Sequence, residues 1–112
     1  MADRNVVIID ADENFVRMAA DALERINFHV STADNGDKGL RLARKDKPEI
    51  IILAVELNGE NGYLVCKRIK EDKDLGRTPV LLTSYRASEK DFEKHRGLKV
   101  RADDYLHKPF TD

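Results

Sequence analysis

Two runs of consecutive aliphatic residues, Val6-Val7-Ile8-Ile9 and Ile50-Ile51-Ile52-Leu53-Ala54, constrain this chain more than any other feature. A strand with one face in water alternates apolar and polar residues. A run that is apolar at every position belongs to a strand buried on both faces, which is the habit of parallel sheets covered by helices. Between the two runs the period changes: Phe15, Met18, Ala19, Ala22, Leu23 and Ile26 recur at three- and four-residue spacing, predicting an amphipathic helix over Asn14–Ile26.

The alternation continues. His29–Thr32 is a weaker strand, Asn35-Gly36 breaks the chain, and Asp37 is the expected cap of a helix running through Lys45 with Leu40 and Ala43 inward, closed by Pro48. After the second run, Asn58-Gly59-Glu60-Asn61-Gly62 is a turn cluster. Tyr63, Val65, Cys66 and Ile69 mark a third helix ending near Asp72. Pro79–Thr83 is a strand, Ser88 opens a fourth helix carrying Phe92, His95 and Leu98, and Asp104–His107 is a last strand stopped by Pro109. Strands alternating with helices require right-handed crossovers. The expected fold is therefore α/β, a doubly wound five-stranded parallel sheet in one domain over residues 1–112. Five strands are matched by only four helices. Thr111 and Asp112 are good helix caps, so the expectation is a domain trimmed before its fifth helix, with a strip of sheet left uncovered.

Charge narrows the function. Lys+Arg number 20 against 21 Asp+Glu, a formal net charge of -1, which excludes a nucleic-acid binder driven by bulk positive charge. The basic stretch Arg41–Lys47 is interrupted by Asp46 and by apolar positions, as on a solvated helix face. The apolar runs are too short to cross a bilayer, so no membrane role is expected. A lone cysteine cannot form an internal disulfide, which points to a reducing, cytoplasmic setting, and Cys66 reads as a small core residue. His29, His95 and His107 have no metal-ligand spacing.

In open parallel sheets ligands bind at the carboxyl ends of the strands. Those ends carry Asp10-Ala11-Asp12, Ala54-Val55-Glu56, Thr83-Ser84 and Lys108: carboxylates facing a hydroxyl and an amine. No glycine-rich phosphate cradle follows any strand, which argues against nucleotide-binding relatives of this architecture.

The stretches VVIIDADENFV, KPEIIILAVELNGENGYLVCKRIK, TPVLLTS and RADDYLHKPF, in this order and approximate spacing, resemble the receiver domain of two-component response regulators, a CheY-like, flavodoxin-like fold of strand order 2-1-3-4-5. TPVLLTS and FEKHRGLKVRADDY are most similar to a receiver-like domain of a gliding-motility protein. The resemblance implies that Asp10 stands for the first member of the family's acidic pair, Thr83 for its switch hydroxyl, Tyr105 for its switch aromatic and Lys108 for its phosphate-contacting lysine. It also implies two losses: Ala11 stands where the second acid belongs, and Ala54 where the phosphoacceptor aspartate belongs. The segment from Thr83 to Tyr105 is slightly longer than usual, with the extra residues around Tyr85–Glu89.

These departures bear on the chemistry. A methyl group is no nucleophile towards a phosphoryl donor. Mg²⁺ requires near-octahedral oxygen ligands, and two of the implied carboxylates are missing. Asp10 remains a weak metal candidate, while Asp12 and Glu56 lie off the family's ligand positions. Three clustered carboxylates raise at least one pKa unless Lys108 pairs with them, so Lys108 is expected in the cation's place. Simpler readings stand beside these: Asp10 and Asp12 as caps of the first helix, Thr83-Ser84 as a turn pair, Lys108 as a structural ion-pair partner. Tyr105, with Phe92 and His95, is the expected interaction or switch face, or else a core-edge aromatic. The resulting expectation is a degenerate pseudo-receiver, not an enzyme and without a cofactor, that signals through protein partners, with an output or interaction region after Asp112. The alternatives are a receiver phosphorylated at another acceptor or substituted at Ala54, and a small-molecule sensor using the emptied pocket.

Overall fold

The computed structural model describes residues 4–98 and 101–108. Along the chain run β1 (Asn5–Ile9), α1 (Glu13–Arg25), β2 (His29–Ala33), α2 (Gly36–Asp46), β3 (Ile50–Ala54), β4 (Glu56–Leu57), β5 (Glu60–Asn61), α3 (Gly62–Glu71), β6 (Val80–Ser84), α4 (Glu89–Arg96) and β7 (Asp104–His107). Five strands form one parallel sheet in the order β2-β1-β3-β6-β7, the doubly wound arrangement expected. The short strands β4 and β5 pair antiparallel in a separate hairpin that overlaps the Asn58–Gly62 cluster, where the sequence predicts only a turn. Thr111, Asp112 and Pro109 lie outside the described residues. No helix among the described residues is long and apolar enough to cross a membrane.

The two faces of the sheet differ. On one, Val7, Ile9, Ile51, Leu53, Val80 and Leu82 pack with Leu40 and Ala43 of α2, Val65, Cys66 and Ile69 of α3, and Phe92 of α4 in one buried cluster. Burial raises the Cys66 thiol to about 11, as befits an inert core residue. On the other face α1 leaves an apolar groove of about 160 Å³ lined by Phe15, Met18, Ala22, Ile52, Leu81 and Leu106. Met18 of the predicted helical stripe and Leu106 of β7 are accordingly exposed.

Local chemistry sets the helix ends. Asp12 caps α1 by accepting the N–H groups of Asn14 and Phe15. Asn35 rather than the expected Asp37 caps α2, because its carbonyl oxygen reaches the N–H of Lys38 while Asp37 already lies within the first turn, ion-paired to Arg68. Ser88 and Asp91 form a reciprocal capping box at α4. That helix ends at Arg96, so Leu98 falls beyond it and is exposed, contrary to the expected stripe.

Gly62 opens α3 directly against the end of β3: a methyl group there would lie 2.0 Å from the Ala54 carbonyl oxygen, far inside van der Waals contact. Gly62→Ala is expected to lower stability by at least about 2 kcal/mol, because the obstacle is backbone and cannot swing aside. Urea unfolding midpoints with an unchanged slope measure this; an unaltered midpoint contradicts the packing.

Candidate functional site

At the carboxyl edge, parallel register places Ala54 beside Thr83. Asp10 follows β1 and Lys108 follows β7, and the chain folds so that these residues, 98 positions apart, meet: the Lys108 ammonium donates to Asp10 Oδ2 at 2.7 Å. Both side chains are only 1% exposed. Backbone contacts fix the geometry, with Lys108 N–H on the Ser84 carbonyl at 2.7 Å and Asp10 N–H on the Ala33 carbonyl at 2.9 Å. The second Asp10 oxygen accepts the Asp12 N–H at 2.9 Å.

Two rings complete the surroundings of the ammonium. Its nitrogen lies 4.3 Å from the centroid of Phe15 and 4.6 Å from that of Tyr85. A cation held over aromatic faces and desolvated is stabilised by up to about 2 kcal/mol. Neither ring was expected at the site. Phe15 falls in the predicted helical stripe and Tyr85 in the lengthened loop. The one signal in the sequence is that both follow a strand's carboxyl end closely, Tyr85 directly after β6 and Phe15 in the first turn of the helix after β1.

The remaining candidates are engaged elsewhere. The Asp12 carboxyl is held below its ordinary value chiefly by the Phe15 N–H, then by the Tyr85 hydroxyl, with Lys108 adding attraction against a small burial penalty. Glu56 turns to β6: its carboxylate accepts the Ser84 hydroxyl at 2.5 Å and the Tyr85 N–H at 3.0 Å. Ser84 Oγ in turn accepts the N–H groups of Arg86 and Ala87. The Thr83 hydroxyl is fully buried, with the Leu53 carbonyl at 3.5 Å. A polar cleft lined in part by Asp10, Ala11, Glu13, Arg17 and Lys38 opens on the β1–β2 side.

The residues do not fit a Mg²⁺ ion. Asp10 is neutralised by Lys108, Ala11 and Ala54 offer methyl groups, Asp12 caps a helix and Glu56 points into β6. Among the described residues no group of three or more His, Cys, Asp or Glu side chains is arranged to hold a metal.

Phe92, His95 and Tyr105 come together but do not form a surface. They are 1%, 7% and 8% exposed, so the expectation that they present a contact face is corrected: they lie beneath it. Phe92 and His95 face inward because α4 has only eight residues and one inward stripe, whereas its other residues are charged. His95 Nδ1 and the Tyr105 hydroxyl are 2.5 Å apart, Tyr63 of α3 packs on the His95 ring at 4.7 Å, and Phe92 stands between Tyr105 and His107 at 5.1 and 4.5 Å. Arg96 covers the Tyr105 ring at 4.8 Å. Tyr63, read as ordinary helix stripe, is thus the first ring of an aromatic row running from α3 through α4 to β7.

The response regulator receiver domain model matches residues 6–112. The chain belongs to this family. It is 34% identical over 109 residues to the alkaline phosphatase synthesis transcriptional regulatory protein PhoP of Bacillus subtilis, covering 97% of this chain and 44% of that protein. It is 35% identical over 112 residues to the response regulator PleD of Caulobacter vibrioides, covering all of this chain and 24% of that one. The receiver domain here therefore spans less than half the length of these curated relatives. A putative response regulator from Chloroflexus aurantiacus superposes with a TM-score of 0.86 at 27% identity, covering 98% of this chain and 88% of that one. A response regulator from Burkholderia pseudomallei, solved with a phosphorylated aspartic acid, calcium ion and citrate, gives 0.84 at 29% identity, covering 97% and 62%. The architecture and the two-component signalling family agree with the expectation drawn from the four sequence stretches.

Two outcomes follow from the charges of this receiver. Asp10→Ala leaves the Lys108 ammonium buried without its carboxylate and is expected to cost about 3–5 kcal/mol, whereas Asp10→Leu with Lys108→Met recovers most of that loss; urea unfolding of the three proteins measures both. Burial holds His95 below its ordinary value of 6.5, so the folded state keeps it neutral while the unfolded chain takes up a proton more readily. Its contribution is present above about pH 6.5 and is lost as pH falls through the folded value. Wild-type stability is expected to fall between pH 7.5 and 5, and His95→Gln to flatten that slope; equal slopes contradict the assignment.

Proposed function

We propose that this receiver domain is a pseudo-receiver, one that passes signals by protein contact rather than by phosphoryl transfer. The observation that carries the reading is Ala54 at the end of β3, in register with Thr83, where a methyl group occupies the position implied for the acceptor. The ion pair of Asp10 with Lys108 supports it, since both groups are already neutralised within the chain. In receivers of the intact type a phosphoryl group biases a two-state element. Here the bias comes from the sequence itself or from a bound partner.

The partner surface is the outer side of α4, where Glu89, Lys90, Glu93, Lys94 and Arg96 are exposed above the buried Phe92, His95 and Tyr105. The hydrogen bond between His95 and Tyr105 sets how that helix sits on β7. The apolar groove beside α1, lined in part by Met18, Leu81 and Leu106, is a second surface open to an apolar segment of a partner. Such a domain binds a signalling protein, has no catalytic role and acts in the cytoplasm. The resemblance of TPVLLTS and FEKHRGLKVRADDY to the receiver-like domain of the gliding-motility protein FrzS favours the same reading.

Incubation with a small acyl phosphate and Mg²⁺, read by intact mass, tests the proposal. The unmodified chain is expected to gain no phosphoryl group, while Ala11→Asp with Ala54→Asp gains one. A stable adduct on the unmodified chain overturns the reading, and its mapped position names another acceptor.

A further inference from the structure

The Lys108 ammonium is enclosed by three groups of its own chain, and they differ in one respect. Asp10 and Phe15 are buried, whereas Tyr85 is 48% exposed although one face of its ring covers the cation. Tyr85 belongs to the short link between β6 and α4, not to either element. Its ring is therefore the outer wall of the enclosure, with the amine on one side and solvent on the other. Two attachments hold it there. The Tyr85 N–H donates to Glu56 at 3.0 Å, and the hydroxyl donates to the Asp12 carboxylate, which pushes the phenol above its ordinary value of 10.0. Attachments at exposed positions are readily exchanged for water, which makes local opening far less costly than unfolding.

We propose that Tyr85 is a lid: its ring closes the pocket holding the Asp10–Lys108 pair, and swings outward to bring the Lys108 amine to the surface. Glu56 anchors the root of the moving segment through the Ser84 hydroxyl, so the ring turns while β6 keeps its place. The lid is joined to α4. Ser84 Oγ accepts the N–H groups of Arg86 at 3.1 Å and Ala87 at 2.9 Å, and the Ala87 carbonyl meets His107 Nε2 at 2.9 Å. Movement of the lid and movement of the start of α4 thus share one stretch of backbone. A partner that draws α4 or the exposed Tyr85 ring outward uncovers the cation, and closure of the lid shields it again. The inference stands whether or not the chain accepts a phosphoryl group, because it concerns access to the amine and not the acceptor.

Trace acetylation of the lysines with acetic anhydride at pH 8, resolved by peptide mass spectrometry, reads that access directly. Lys90 and Lys94, exposed on α4, serve as internal standards. Lys108 in the unaltered chain is expected to label at least about tenfold more slowly than these two. Tyr85→Ala is expected to raise the Lys108 rate about tenfold while the standards stay constant, and Tyr85→Phe, which keeps the ring but loses the bond to Asp12, to give a rate between the two. Equal Lys108 labelling with and without the ring overturns the proposal. The unaltered chain supplies an independent readout. Opening of a lid is a local event, so Lys108 labelling is expected to be nearly constant in urea below the unfolding transition. A rate that climbs in step with global unfolding shows that no lid opens, and overturns the proposal even where Tyr85→Ala fails to fold.

Discussion

A carboxylate and an ammonium share a site from which water is almost wholly excluded. Each ion alone in that position costs several kcal/mol, and together they are tolerated only if the distance is short and the remaining hydrogen-bonding capacity is met. Asp10 and Lys108 satisfy both conditions, at 2.7 Å, with the Asp12 N–H on the other carboxylate oxygen and two aromatic faces over the ammonium. The pair joins the end of β1 to the end of β7 across β3 and β6. Its geometry requires all four strands in their observed register, so the site reports on the sheet as a whole.

Around that pair the carboxyl edge is internally satisfied. Asp12 serves α1, Glu56 serves β6, and Thr83 lies buried beside Ala54. A second network, the row of rings from Tyr63 through His95, Tyr105 and Phe92 to His107, ties α3 and α4 to β7. The two networks meet at the end of β6 and in the few residues after it, where Ser84 takes the Glu56 contact and Ala87 takes the His107 contact. On the proposed reading this junction is where a partner on α4 and the pocket influence one another, with no phosphoryl group needed to connect them.

Much of this is legible in the sequence. The run Val6–Ile9 is buried on both faces, the stripe beginning at Phe15 is α1, and Ser88 caps α4. These features depend on neighbours within a turn or two, where spacing and backbone chemistry decide the outcome. Other features were misjudged because they depend on what lies across the fold. Asp37 and Asn35 are both competent caps; α2 starts at Gly36 with Asn35 on the Lys38 N–H, and Asp37, inside the first turn, meets Arg68 of α3. Phe92, His95 and Tyr105 carry no mark of depth in sequence; the packing of a short helix onto β6 and β7 buried them. The hairpin of β4 and β5 hides in residues that equally suit a plain turn.

The site divides in the same way. The identity of the groups at the carboxyl edge follows from sequence alone, because strand ends are marked by the change of period and a parallel sheet gathers those ends on one side. That positions 11 and 54 carry only methyl groups is likewise fixed by the sequence. Only the tertiary structure decided which charge met which. Asp10, Asp12 and Glu56 are all within plausible reach of Lys108 by topology. In the folded chain the lysine meets Asp10, Asp12 caps α1 and Glu56 accepts from the segment at the end of β6. Ion pairing and cation–π contact act over a few ångströms, far below the precision with which periodicity can place a side chain. The enclosure of Lys108 by Phe15 and Tyr85 is therefore a property of the folded chain, written nowhere in its pattern.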